Sequence, residues 1–166
     1  MQSSEPSAAA RPGLYAELAK SLAALLSGET DFIVNAANMA SLLYHSLPDV
    51  NWAGFYVRRR DELVLGPFQG KPACVRIPVG KGVCGACAKR RQAVVVKDVH
   101  EFPGHIACDP DSRSEIVIPL IAEGRLIGVL DLDSPVAGRF DSSDEEGLEG
   151  LVAVFLARTS MSTVSD

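Results

Sequence analysis

The residues of this 166-residue chain with the most chemical potential are its cysteines and a set of alternating acids. Cys108 lies in GHIACDPDSRSEIVIPL, residues 104–120, in a polar loop that leads directly into an apolar strand. Cys74 and Cys84 lie upstream in GKPACVRIPVGKGVCG, beside glycines. Structural cysteines usually sit inside apolar runs, whereas a cysteine at a loop position can be exposed and reactive. That contrast points to redox chemistry. A reactive thiol needs access and a lowered pKa or an acid–base partner, and His105 and Arg113 are the positive groups nearest Cys108 in sequence. The plainer alternative is a half-buried loop cysteine with no chemistry.

The acids complement the thiols. In LDLDS, Asp131 and Asp133 alternate with Leu130 and Leu132, so a strand turns both carboxylates to one face and the leucines to the core. Glu115 begins the preceding strand, and counting back from the Glu123-Gly124 turn brings it near Asp131 and Asp133. Acids crowded in this way repel one another, and at least one pKa rises. Such a group suits a general acid or a clamp for a substrate ammonium; the alternative is a solvated acidic sheet face. Trp52 and Tyr56, four residues apart on a strand, share a face and could wall a pocket or simply pack in the core.

Cys84 and Cys87 form a CxxC, which invites a thioredoxin-like or zinc reading. The motif is not followed by a long helix in a βαβ context. A tetrahedral zinc site would need Cys108 with His100 or His105 as further ligands, so no metal and no cofactor are expected. Cys87 reads as a small helix residue facing the core.

The elements that must position these groups follow from periodicity. Leu14, Leu18, Leu22, Leu25 and Leu26 predict a helix over 14–27 ending at Gly28. Thr30 or Asp31 caps a second helix that stops at Pro48. Strands are expected at 50–58, 61–68, 75–79 and 93–96, with a short helix at 82–92 between the last two. A polar loop spans 97–113, and a hairpin joins 114–121 to 125–134. Asp141-Ser142-Ser143-Asp144-Glu145 opens a final amphipathic helix. The expected class is α+β, an antiparallel sheet whose terminal helices cover one face while loops on the other form a pocket. The expected organisation is a tail at 1–13, a single domain at 14–160 and a C-terminal tail at 161–166.

Composition narrows the partners. The net charge is −5, and basic clusters are limited to Arg58-Arg59-Arg60 and Lys89-Arg90-Arg91, so nucleic acid is not expected. No apolar run reaches membrane-spanning length, and MQSSEPSAAARPG has no apolar core of a secretory signal, so a cytoplasmic location is the expectation.

Taken together, NWAGFY (51–56), LGPFQGKPACVRIPVGKGVCG (65–85), FPGHIACD (102–109), SEIVIPL (114–120) and GVLDLDSP (128–135) resemble the free methionine-(R)-sulfoxide reductases, which are stand-alone GAF-domain enzymes. The resemblance implies a GAF fold and the reduction of free L-methionine-(R)-S-oxide. It implies Cys108 as attacking cysteine, Cys74 as resolving cysteine and Cys84 as a third redox-capable cysteine. It further implies Glu115, Asp131 and Asp133 as the acids that hold substrate and assist proton transfer, Trp52 and Tyr56 as the aromatic wall, and thioredoxin as reductant. GAF domains commonly pair, so a homodimer is one expected state. The rival readings are a GAF module that binds a small molecule without turnover, and a thiol redox sensor.

Overall fold

A computed structural model of the chain describes residues 11–106 and 108–164. Tyr15, Leu18 and Leu22 form the buried stripe of α1 (Arg11–Leu25). The helix begins at Arg11, so residues 11–13, assigned above to the tail, are helical; residues 1–10 lie outside the described residues. The cause is tertiary and invisible to periodicity. Arg11 Nη1 donates to Asp141 at 2.9 Å and to Asp144 at 3.1 Å, and Pro12 is tolerated in a first turn. Asp31 caps α2 (Phe32–Ser46) by accepting from the Val34 amide. Asp141 and Asp144 close a capping box at the start of α4 (Ser142–Arg158).

The strands are β1 (Trp52–Arg59), β2 (Glu62–Gly70), β3 (Arg76–Pro78), β4 (Val94–Val96), β5 (Ser114–Ala122) and β6 (Arg125–Ser134), and α3 (Gly82–Arg90) lies between β3 and β4. They form one antiparallel sheet of order β3-β2-β1-β6-β5-β4. Glu123 and Gly124 both adopt positive φ, the twist that a two-residue hairpin requires, and this sets the β5–β6 register.

Alternation divides the sheet into two faces. Phe55, Ile116, Ile118, Leu130 and Leu132 pack against α1, α2 and α4, where the Phe32, Phe55 and Phe155 rings meet. Trp52, Tyr56, Val117 and Val129 point the other way, towards α3. A buried polar knot locks the helical layer: Asp144 accepts from Tyr15 at 2.8 Å and from Arg139 at 3.3 Å. Val164, assigned above to the C-terminal tail, is buried in the same core, and its carbonyl accepts from Arg59 Nη1 at 2.9 Å. Residues 165 and 166 lie outside the described residues. No helix among the described residues is long and apolar enough to cross a membrane.

Candidate active site

Register brings the acids together. Across the three central strands, Trp52 on β1 faces Asp133 on β6, and Asp133 faces Glu115 on β5. One pair along, Gly54 faces Asp131, and Asp131 faces Val117. The alternation Leu130-Asp131-Leu132-Asp133 therefore does what the pattern predicts, with leucines in the helical core and both aspartates on the α3 face.

The acids are buried rather than solvated: Glu115 is 7% exposed and Asp131 is 6% exposed. Burial is the main cause that pushes the carboxyls of Glu115 and Asp133 well above the ordinary range, and the Asp131 charge raises both further. Asp131 is also raised by burial, while hydrogen bonding with Glu115 and Cys84 partly offsets the shift. The set titrates as a unit and holds protons at a pH where isolated carboxyls would be ionised. Asp131 Oδ1 is buried without a hydrogen-bond partner. An acceptor of that kind is costly unless a ligand donates to it.

The same electrostatics has a stability consequence. An acid whose folded pKa is raised loses stability as pH climbs from the unfolded value, about 4, through the folded one, because the native state binds the extra proton. Asp133→Asn removes that penalty. Its melting temperature is expected to rise by ~2–4 °C at neutral pH, on the order of 1 kcal/mol, with the gain shrinking towards pH 4. Thermal unfolding of both proteins across that range tests it, and an unchanged or lower value at pH 7 would show that the burial penalty is met elsewhere.

The thiols arrive from three directions. Cys108 lies on the 97–113 loop and is exposed; Cys74 lies on the β2–β3 connection and is half-buried. They are joined by a disulfide with a Cα–Cα separation of 5.7 Å. Cys84 departs from the expectation of an exposed loop thiol. It sits in the first turn of α3, 3% exposed, because α3 packs directly onto β5 and β6. Its Sγ donates to Glu115 Oε1 at 3.9 Å, and burial followed by the three acids pushes its thiol well up. Cys87 is fully buried on α3, its Sγ donates to the Val117 carbonyl at 3.7 Å, and burial raises it to about 12. The zinc set considered above does not assemble, since Cys108 is spent in the disulfide and Cys87 points at backbone. Among the described residues, the group able to hold a metal ion is instead Cys84, Glu115 and Asp131, whose ligand atoms all lie within 4.8 Å of one another.

The aromatic pair forms the wall that its spacing suggests. Trp52 and Tyr56 stack at 6.0 Å, and Phe68 continues the stack at 5.3 Å from Trp52. Both also hold the Cys74 segment: Trp52 Nε1 donates to the Lys71 carbonyl at 3.0 Å, and the Tyr56 hydroxyl donates to the Cys74 carbonyl at 2.8 Å. Together with the disulfide, these bonds close a cavity of about 40 Å³ lined by Trp52, Tyr56, Cys84, Cys108, Glu115 and Asp133, among others.

Of the two positive groups proposed for Cys108, Arg113 is turned away and pairs with Asp98 at 3.5 Å. His105 lines the cavity, and its pKa is lowered, chiefly by burial. The cation that sequence reasoning missed is Lys71, which reaches Asp111 at 2.8 Å and Asp109 at 3.9 Å, both just after Cys108 on its loop. Its only signal was its place three residues before Cys74. Gly54 was missed too, although period-two alternation puts it between Trp52 and Tyr56. A Cβ there would collide with Phe68 Cβ and lie 2.6 Å from the Trp52 ring. Gly54→Ala is therefore expected to displace Trp52, the one tryptophan of the chain. A changed emission maximum or quenching constant checks this, and a spectrum identical to that of the parent would refute the tight fit.

The sequence matches the GAF domain family over residues 17–158. It is 58% identical to the free methionine-R-sulfoxide reductase of Escherichia coli over 84% of each chain. It is 45% identical to the enzyme of that name from Saccharomyces cerevisiae, over 81% of this chain and 79% of that one. The structure of free methionine-R-sulfoxide reductase from Neisseria meningitidis in complex with its substrate superposes with a TM-score of 0.87, at 44% identity and 95% coverage of both chains. With this likeness running nearly the length of each protein and the fold agreeing throughout, the chain belongs to the free methionine-R-sulfoxide reductase family of GAF-domain proteins.

Proposed function

We propose that the protein reduces free L-methionine-(R)-S-oxide to L-methionine, using Cys108 as nucleophile and Cys74 as resolving thiol. The observation that carries this reading is the Cys74–Cys108 disulfide set over a cavity that is also lined by three carboxyls pushed above the ordinary range. Sulfoxide oxygen is a poor leaving group until it is protonated, so a thiol alone is insufficient and a raised carboxylic acid is the group the chemistry lacks.

Cys108 Sγ attacks the sulfoxide sulfur while a carboxylic acid from Glu115, Asp131 or Asp133 delivers a proton to the oxygen. The oxygen passes as hydroxyl to Cys108 Sγ while the substrate sulfur–oxygen bond and the transient bond between the two sulfurs break, so methionine departs two electrons reduced and Cys108 is left as a sulfenic acid. Cys74 attacks that sulfur, water leaves and the disulfide forms. A dithiol protein of the thioredoxin class then restores both thiols by exchange. Cys74 is favoured over Cys84 as the resolving group because Cys84 is buried with its thiol held protonated.

The same acids suit a free amino acid. Its ammonium supplies the donor that Asp131 Oδ1 lacks, and Lys71 at the rim is a cation for the α-carboxylate. Trp52 and Tyr56 pack the methyl group. A methionine within a polypeptide has no α-ammonium to offer, and its flanking chain does not fit so small a cavity. The oxidised form, with its cavity of about 40 Å³, is the end of the cycle in which little room is needed.

The test is to incubate purified protein with dithiothreitol and the two free epimers separately, and to measure methionine. Loss of the R epimer with sparing of the S epimer and of peptide-bound sulfoxide is expected. No turnover of the R epimer would overturn the proposal.

A further inference from the structure

Cys84 is the nucleophilic group that the thiol cycle above leaves idle, and its surroundings suggest a use that does not involve electron transfer. We propose that Cys84, Glu115 and Asp131 form a binding site for one thiophilic divalent cation of the zinc class. Their ligand atoms lie within 4.8 Å of one another, on a helix turn and two adjacent strands that are themselves rigidly packed. A second observation points independently to a ligand. Asp131 is 94% buried by its 6% exposure, and its Oδ1 has no hydrogen-bond partner.

The donor set selects the cation. One sulfur with two carboxylate oxygens is too soft for magnesium or calcium and fits zinc, or cadmium as its larger probe. Zinc–sulfur and zinc–oxygen bonds of about 2.3 Å and 2.1 Å place sulfur and oxygen about 3.6 Å apart in a tetrahedron. The Cys84 Sγ to Glu115 Oε1 separation of 3.9 Å is a few tenths of an ångström from that, within reach of a small χ adjustment. The cavity supplies the fourth position for water.

Binding forms bonds from the metal to Cys84 Sγ and to one oxygen of each acid. It displaces the thiol proton and any proton on the carboxyls to solvent, and no electrons move. Two positive charges also relieve the crowding of buried acids that raises their pKa values. Cys108 is not needed, so the oxidised protein is competent. Cys87 is not needed either, because its sulfur points to the Val117 carbonyl.

The site shares Glu115 and Asp131 with the reductase reading, so cation and substrate compete for it, and it is tested without turnover. The full chain, with the Cys74–Cys108 disulfide closed, is titrated with cadmium chloride while the ultraviolet thiolate-to-cadmium charge-transfer band is followed. One equivalent is expected to saturate a band that Cys84→Ser abolishes and Cys87→Ser leaves unchanged. Asp131→Asn keeps every thiol, and a loss of affinity of at least ~10-fold is expected there, as in other sites that lose an oriented ligand. Circular dichroism establishes that each variant is folded. Absence of a saturable band, a band that survives Cys84→Ser, a band lost in Cys87→Ser, or wild-type affinity in Asp131→Asn would each overturn the proposal.

Discussion

Cys108→Ser is expected to form no methionine even in a single turnover, with the rate falling ~10⁴-fold or more, as when an essential nucleophile is lost. A serine hydroxyl in an exposed loop has no base to deprotonate it. His105 is the one imidazole on the cavity, and its environment disfavours the charged form that it would have to adopt as a base. Cys74→Ser separates the two halves of the cycle. One equivalent of methionine per protein is expected, leaving Cys108 as a sulfenic acid that a trapping reagent such as dimedone captures. Turnover driven by a thioredoxin system should stop, because no disulfide is left to exchange. Rapid mixing with a stoichiometric amount of the R epimer, followed by methionine analysis and mass spectrometry, measures both effects. A Cys108→Ser protein with full single-turnover yield would transfer the nucleophile elsewhere, and Cys84 would be the next thiol to consider. A Cys74→Ser protein that still cycles with thioredoxin would remove Cys74 from the resolving role.

The second large effect concerns protons. Glu115→Gln and Asp133→Asn are expected to lower kcat/KM by ~10²–10⁴-fold, the usual worth of a positioned general acid. The pH profile identifies which acid matters. Burial and mutual charge hold these carboxyls well above the ordinary range, so a proton-donating form persists at a pH where an ordinary carboxyl is ionised. A general acid works below its pKa, so activity should fall as pH rises through the raised value. That alkaline limb should vanish in the variant lacking the donor and persist in the other. The three acids share their protons, so the limb reports the cluster and the variants resolve its members. Wild-type kcat/KM in both variants would reduce the acids to a structural role. The melting-temperature gain expected for Asp133→Asn sharpens the contrast, since a substitution that stabilises the fold while lowering the rate cannot be acting through misfolding.

Strand alternation was legible because it is local. LDLDS could only place its acids on one face and its leucines on the other, and the Glu123-Gly124 turn could only return β5 beside β6. The pairing of Trp52 and Tyr56 followed from the same period of two. Helix ends were less legible. Arg11 joins α1 through contacts with Asp141 and Asp144, more than a hundred residues away, and no local pattern encodes them. Lys71 escaped notice because its importance comes from Asp109 and Asp111, which the chain brings back only through the 97–113 loop.

The sequence by itself determined which residue types were available, which sheet face each would take and, through resemblance across several motifs, the family. Burial and juxtaposition were decided by tertiary structure alone. It turned an acidic strand face, which could have been solvated, into a cluster in which Glu115 and Asp131 are buried and all three carboxyls are pushed above the ordinary range. It divided four similar cysteines into an accessible bonded pair, Cys74 and Cys108, and two buried thiols, of which Cys84 meets the acids and Cys87 meets backbone. The physical reason is that a thiol or carboxyl takes its reactivity from the dielectric and the charges within a few ångströms, and those neighbours come from strands and loops far apart along the chain.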